Sequence, residues 1–514
     1  MLDYQQLAAP AHHGGVLVAP DPKSCAKLAR ENAALLNSSI AKILGSTLGS
    51  WRAATRERLV TNPNQPVIVV GHQPDFIHPG VWAKNVVARR LAHALHGAAV
   101  NLIVDSDAPK RLSIRVPVTH EDRLIVREVR AGTLRPECAY EQIAAIPASE
   151  IETLRRQIHE SLRDRFAGSL MASFLDGLAE SPNTDWVSQI TEGRRKVESE
   201  FNIDLQDLRI RDSWWSPLAA HLLLDPGGFA RAYNDSIAEY RVQNKVRSPN
   251  RPIPVLVVED DRVELPFWFY VADQSRRRVF VAADQDHVTL CAQSEPIVTF
   301  SRKQIETSED VVELVRRESG WLLRPRALIT TIWARLFLAD LFIHGIGGAK
   351  YDHISDLIIA RYFQLPAPEI ACATATLYMD SRCEQSPDKS THERQLRDAT
   401  WNPQRHILSP SSPELESLLQ QRLAAIQKTD ELSRVRSADR AARRAVFQQI
   451  HRLNAEIHAF NPNLLDAPKA ELERFRRESA DRRIACDREC FFALHPRTSL
   501  ELLLDALPDS SDFV

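Results

Sequence analysis

Two histidines, His72 and His78, bracket Gln73 and Asp75, and Lys84 and Asn85 follow shortly after. A histidine close to a helix start can hold a phosphate or pass a proton. Further on, Asp105 and Asp107 flank Ser106. Carboxylates so placed can orient an amine, or hold magnesium together with nucleotide phosphates. A third group is glycine-rich: His344, Gly345, Ile346, Gly347 and Gly348, then Lys350, Tyr351 and Asp352. Backbone N–H groups in such a turn at a helix start form a natural anion cradle. Each group also has a plainer reading, as polar residues that satisfy a tight loop or cap the next turn.

Other chemistries find no pattern. His72 and His78 have no third ligand spaced to join them, so no metal site is expected. There is no GxxxxGK[ST] loop, and Gly345-Ile346-Gly347-Gly348 does not match a dinucleotide fingerprint. No Gly-x-Ser-x-Gly elbow occurs. Cys486 and Cys490, one helical turn apart without a second pair, read as structural thiols.

The elements around these residues form one local plan. Val67–Val70 is an apolar, β-branched run of strand length, broken by Gly71 and a Pro- and Gly-punctuated loop to Gly80. Val81–His96 has apolar residues at helical spacing. Ala98–Val104 is a second strand and ends directly on Asp105. This is a βαβ unit with polar residues at both strand exits, where ligands of open parallel sheets bind. Phe342-Ile343 closes another strand, Tyr351–Phe363 reads as a helix, and Ile370–Met379 reads as a strand after Pro366-Ala367-Pro368.

Elsewhere, Lys23–Leu48 has helical periodicity, Arg111–Arg130 is expected to supply strands, and Glu150–Leu224 is mostly helical with a polar connection at 181–184. Of the pair Trp214-Trp215, one is expected in the core and one at its rim. Gly227–Arg241 reads as a helix with a core-facing aromatic stripe. Ile253–Val258 reads as a strand with an acidic exit at Glu259-Asp260-Asp261, and Phe267–Val271 with Val279–Ala283 as a hairpin. Arg276-Arg277-Arg278 falls at its turn, more as a solvated tip than as an anion grip. Leu415–Asn461 reads as a long helical pair linked near 429–439, and Ala470–Cys490 as a further charged helix.

At 514 residues, with 44% hydrophobic and 26% charged residues, the chain has globular composition. Lys+Arg of 65 against Asp+Glu of 67 argues against a general nucleic-acid binder. No apolar run is long enough to span a bilayer, and the N-terminal residues lack a basic start with an apolar core. Seven scattered cysteines suit a reduced, cytoplasmic setting.

Taken together, these stretches resemble the bacillithiol-biosynthesis cysteine-adding enzymes, a family of cysteine ligases. That family's strand leading into TGQQ, its Gly-Pro loop and its Lys-bearing helix are similar to Val70-Gly71-His72-Gln73, Pro79-Gly80 and Lys84. Its acidic strand exit is matched by Asp105-Ser106-Asp107, and its GGPGEIAY segment by Gly347-Gly348-Ala349-Lys350-Tyr351-Asp352. His72 stands where the family has glutamine. The resemblance implies a Rossmann-like core of the kind shared with nucleotidyltransferases and class I aminoacyl-tRNA synthetases. It also implies His72 and His78 stabilising phosphate charge, and Asp105 and Asp107 orienting an amine or carboxylate. Gly71, Gln73, Asp75, Lys84, Asn85, His344, Gly347, Gly348, Lys350, Tyr351 and Asp352 would then bind substrate or nucleotide.

The resulting expectation is an α/β protein: a Rossmann-like parallel-sheet core over 1–408 with a helical insertion around 150–245, a helical coiled-coil region over 409–495, and a tail over 496–514. Its expected activity is condensation of an amino acid, cysteine among the candidates, with the amine of a small amino-sugar-like acceptor. The cofactor is left open, with ATP and Mg2+ the first choice. The alternatives are a nucleotidyltransferase on another small acceptor, or a non-catalytic ligand-binding dimer. A small-molecule substrate, no nucleic acid, no membrane, and a homodimer through the helical region complete the reading.

Overall fold

The computed structural model describes residues 4–135, 137–181, 185–248, 251–380, 389–407, 410–434 and 440–514. Cys383, residues 182–184 of the polar connection and residues 435–439 of the helical link lie outside them. The chain divides into two compact units: Met1–Val118 with Val126–Met379 and Asp487–Val514, and Thr119–Ile125 with Asp380–Cys486.

The first unit is built on a six-stranded sheet of β1 (Gly15–Ala19), β2 (Val67–His72), β3 (Ala98–Ile103), β4 (Gln206–Arg209), β5 (Leu341–His344) and β6 (Ala371–Thr376), in the order β1-β6-β5-β2-β3-β4. Strands β2 to β6 are parallel, and β1 is antiparallel at the edge. Helix α1 (Pro79–Ala94) links β2 to β3, and α2 (Ile346–Tyr362) links β5 to β6. The chain steps outward from β2 to β4, then returns to β5 beside β2 and steps outward the other way. The strand order therefore reverses between β2 and β5.

Strand pleating sends alternate residues to opposite faces, and both faces here are dry. Val67 and Val69 enter one core with Phe342, Phe267 and Phe269. Ile68 and Val70 enter another with Trp82, Val86 and Leu91 of α1. This two-sided burial is why the strands are continuous apolar runs rather than alternating ones.

A second, antiparallel sheet of five strands belongs to the same unit, in the order Glu295–Ser301, His287–Ala292, Arg277–Ala283, Val263–Tyr270, Leu322–Pro325. Residues 253–258 do not form the expected strand. Val258 makes one isolated bridge to Val263, and Pro252 and Pro254 deprive the segment of ladder donors. The N-terminal helix ends at Asn37 rather than Leu48, followed by a two-residue hairpin pair and the helix Leu48–Leu59. Both Trp214 and Trp215 are buried, so neither forms a rim. The aromatic stripe of Pro226–Gln243 does face the core, through Phe229, Tyr233 and Tyr240.

In the second unit, helices Pro413–Arg434 and Arg440–Phe460 pack through Ala425, Val446 and Leu453, and Asn463–Ala485 follows. Cys486 is disulfide-bonded rather than a thiol, whereas Cys490 is free and buried. No described helix is long and apolar enough to cross a membrane.

Candidate functional site

The carboxyl ends of β2 and β5 meet where the strand order reverses, and both α1 and α2 begin there. His78 is the N-cap of α1: its Nδ1 accepts the Gly80 N–H at 3.1 Å. A histidine cap was not anticipated, since Ser, Thr, Asp and Asn are the usual choices. Helix α2 starts at Ile346, so Gly347 and Gly348 lie in its first turn rather than in a loop, and its N-cap Gly345 provides no side-chain cap. Its first N–H groups therefore keep the partial positive charge of a helix start.

Close packing explains two of the glycines. A Cβ on Gly80 would stand 2.4 Å from Nη2 of Arg488 and 2.7 Å from the Ala375 carbonyl and Thr374 Oγ1. Gly80 thus lets the start of α1 press against β6 and Arg488. A Cβ on Gly348 would stand 2.7 Å from His344 Nδ1.

Lys84 is the outlier of this region. It is 4% exposed, and its ammonium donates to the Gly71 carbonyl at 2.9 Å. No carboxylate pairs with it among the described residues. Burial holds it down to about 8. Buried ammonium groups are normally paired, so Lys84 presents an uncompensated cation under the end of β2.

The groups around it are basic or neutral. His72 donates from Nδ1 to the Gln73 carbonyl at 2.9 Å, leaving Nε2 with a lone pair. Burial, reinforced by the Lys84 charge, holds His72 down to about 4. His78 is held down to about 3 by burial, with Arg488 and His72 adding to it. The Arg488 guanidinium donates to Thr374 Oγ1 and the Ala375 carbonyl, and its buried Nε has no partner. His495 is fully buried, with neither ring nitrogen hydrogen-bonded.

Gln73 turns the other way, donating to Asp107 Oδ2 at 3.1 Å, while Asp107 Oδ1 takes Arg276 Nη1 at 3.0 Å. Arg276 is not a solvated hairpin tip. Its side chain is 5% exposed and lies 4.3 Å over the ring of Trp268, whose ring Arg326 also approaches at 4.3 Å. A cation over an indole face is attracted by the ring quadrupole, which keeps both guanidinium groups near the end of β3.

The remaining expected residues have other commitments. Asp105 is fully buried, accepts from Arg209 Nε at 2.8 Å and from the Arg211 N–H, and is pushed up to about 6 by burial and by Glu141. This is the geometry of an internal brace. Asp75 caps its own turn by accepting the Phe76 N–H. Asn85 donates to Glu198 at 2.8 Å. Asp352 Oδ2 accepts from His344 Nε2 at 3.0 Å and from Arg335 Nη1 at 2.7 Å. Burial alone would raise the Asp352 carboxyl, but Arg335 and His344 hold it well below the usual carboxylate range. Tyr351 is exposed on α2, and the Lys350 carbonyl receives Gln5.

His72, Gln73, Asp75 and Asn85 also line a narrow cavity of about 30 Å3 with Arg194 and Phe491, room for one water molecule. Among the described residues, no three His, Cys, Asp or Glu side chains converge as a metal site. The sequence offers Arg276 only as the lesser alternative of an anion grip, and gives no site role to Arg326, Trp268, Arg488 or His495. Compared with known proteins, the chain matches no family model and no curated protein.

Proposed function

We propose that the chain is a ligase-like enzyme that holds an anionic, phosphate-bearing group against Lys84 and the starts of α1 and α2, and condenses an amino acid with the amine of a small acceptor. The observation that carries this reading is the buried Lys84 ammonium without a carboxylate. It stands where two adjacent parallel strands end and two helices begin, and an anion would supply the missing countercharge. The order of the parallel strands, 3-2-1-4-5 in sequence, supports a Rossmann-like reading of the core, whose ligands sit at the reversal point.

Amide formation from a free carboxylate needs activation, and ATP with Mg2+ would supply it by phosphoryl or nucleotidyl transfer. The residues present suit the phosphates: Lys84 as point charge, the N–H groups of Ile346, Gly347 and Gly348 as donors, and Arg488 behind α1. His72, neutral at pH 7 with Nε2 open, is the group to take the proton from the attacking amine. His78 fixes the start of α1. Gln73 and Arg276 both hold Asp107, which faces the amine side of the site. Asp105 acts at a distance, by keeping Arg209 and the exit of β3 in place.

A second reading is favoured by one observation. Leu423 and Phe447, on the helical pair of the second unit, are 50% and 59% exposed. Such apolar exposure suits self-association, so a ligand-binding dimer without turnover is the alternative. Calorimetric titration with ATP, with and without Mg2+, tests the leading reading. Binding that inorganic phosphate competes away, and that Lys84→Met weakens at least tenfold, supports it. Absence of nucleotide binding in the wild-type chain would sink it.

A further inference from the structure

His344 ends β5 where the strand order reverses, and its two ring nitrogens are used differently. Nε2 donates to Asp352 Oδ2 at 3.0 Å, an oxygen that also accepts from Arg335 Nη1 at 2.7 Å. An ionised carboxylate only accepts, so Nε2 carries the ring proton and Nδ1 keeps a lone pair. No described residue bonds Nδ1. His344 is 9% exposed, yet this nitrogen is not sealed from solvent as both nitrogens of His495 are. The Phe342 ring packs against the imidazole, with centroids 4.4 Å apart. Asp352 and Phe342 together fix the ring and leave one nitrogen free.

Nδ1 faces the first turn of α2. A Cβ on Gly348 would stand 2.7 Å from Nδ1 but 3.4 Å from Cγ of the ring, so glycine keeps the space in front of that nitrogen clear. Val70 pairs with Ile343, which sets His344 beside Gly71, whose carbonyl holds Lys84. The positive end of α2 and the Lys84 ammonium both disfavour a protonated imidazole and favour an anion there. This speaks against a general base and for a nucleophile that takes on an anionic group. We propose that His344 is a phosphoryl-accepting residue, whose Nδ1 takes the terminal phosphoryl group of a nucleoside triphosphate and passes it to the amino-acid carboxylate. The lone pair attacks the terminal phosphorus and the N–P bond forms. The bond to the bridging oxygen breaks, and its electron pair leaves with the nucleoside diphosphate. Asp352, through Nε2–H, balances the charge that the ring gains, so no proton has to move. A carboxylate oxygen then attacks the same phosphorus, and the N–P electron pair returns to Nδ1. The product is an acyl phosphate ready for the amine.

This inference rests on the reading of the strand ends as a phosphate site, and the test separates the two. The full chain would be incubated with Mg2+ and ATP radiolabelled at the γ-phosphate, then quenched in alkali. Mass spectrometry maps the label, and phosphorus NMR tells Nδ1- from Nε2-phosphohistidine. The expected product is an acid-labile, alkali-stable label on Nδ1 of His344. It should fall at least tenfold in His344→Gln, and equally in Gly348→Ala, whose methyl would crowd Nδ1. A second arm uses potassium phosphoramidate, which phosphorylates imidazoles without a nucleotide. There His344 should be labelled ahead of His353, a more exposed histidine on α2. ATP that binds without labelling His344 would overturn the proposal and leave the phosphate-site reading standing. If ATP does not bind, that reading fails and the phosphoramidate arm decides: label on Nδ1 of His344 supports the proposal, and its absence overturns it. Label that persists in His344→Gln or is unchanged in Gly348→Ala would overturn it as well.

Discussion

Replacing Lys84 by methionine should stabilise the protein, which few substitutions at a buried position do. Methionine keeps the length of the side chain and removes the charge. Lys84 is 4% exposed and has one hydrogen bond, to the Gly71 carbonyl. Burial holds its ammonium down to about 8 from the ordinary 10.5. At about 1.4 kcal/mol per pH unit, keeping the charged form at pH 7 costs roughly 3 kcal/mol, and the lost hydrogen bond offsets roughly 1 kcal/mol of the gain. A net gain of about 1–2 kcal/mol is expected. The pH dependence has a definite sign. Between about 8 and 10.5 the unfolded chain binds a proton that the folded chain does not, so wild-type stability contributed by this group rises with pH there. Lys84→Met should lack that rise. Thermal melts of both proteins from pH 7 to 10.5 measure it. A variant less stable than wild type at pH 7, with the alkaline rise intact, would refute the picture of an uncompensated buried cation.

Other outcomes follow from the same geometry. Gly80→Ala should destabilise by about 1–3 kcal/mol through overpacking, although alanine is the better helix former; urea denaturation gives the sign. His495→Leu should be near neutral at pH 7, because both ring nitrogens lack partners. On acidification the unfolded chain protonates this histidine below about 6.5, while burial holds the folded one down to about 3. Wild type should therefore lose up to about 3 kcal/mol more than the variant between pH 6 and 4, measurable as a gap between their melting curves. Asp105→Asn should cost about 3 kcal/mol by breaking the buried pair with Arg209, whereas Asp107→Asn, at a side chain 41% exposed, should stay within about 1 kcal/mol; parallel melts compare them.

The βαβ unit over 67–110 was legible because its signals are local: a β-branched run, a glycine break, helical spacing, and a second run ending on an aspartate. The sequence suggests a later start for α2 because Gly347 and Gly348 are poor helix formers; at Gly348 a side chain would strike His344. The strand expected at 253–258 does not form because Pro254 within it and Pro252 just before it cannot donate to a ladder, and this outweighs the apolar pattern. At Arg276 the reading as a solvated tip overlooked Trp268, which pairs with the hairpin strand that Arg276 precedes. Arg488 and His495 carry no local signal at all. They reach the start of α1 from more than 390 positions away, through the return of the chain to the first unit at Asp487. The burial of Lys84 was equally hidden, since a lysine on a helix is ordinarily solvated.

The most direct test of the proposed activity uses hydroxylamine as a general amine acceptor that captures activated carboxylates as hydroxamates. The protein would be incubated with ATP, Mg2+, hydroxylamine and each free amino acid, and hydroxamate quantified by mass spectrometry. The expected result is hydroxamate from one or a few amino acids, cysteine among the first examined, dependent on ATP and at least tenfold reduced in Lys84→Met. Nucleotide binding without hydroxamate from any amino acid would contradict the ligase-like account and leave the non-catalytic dimer in its place.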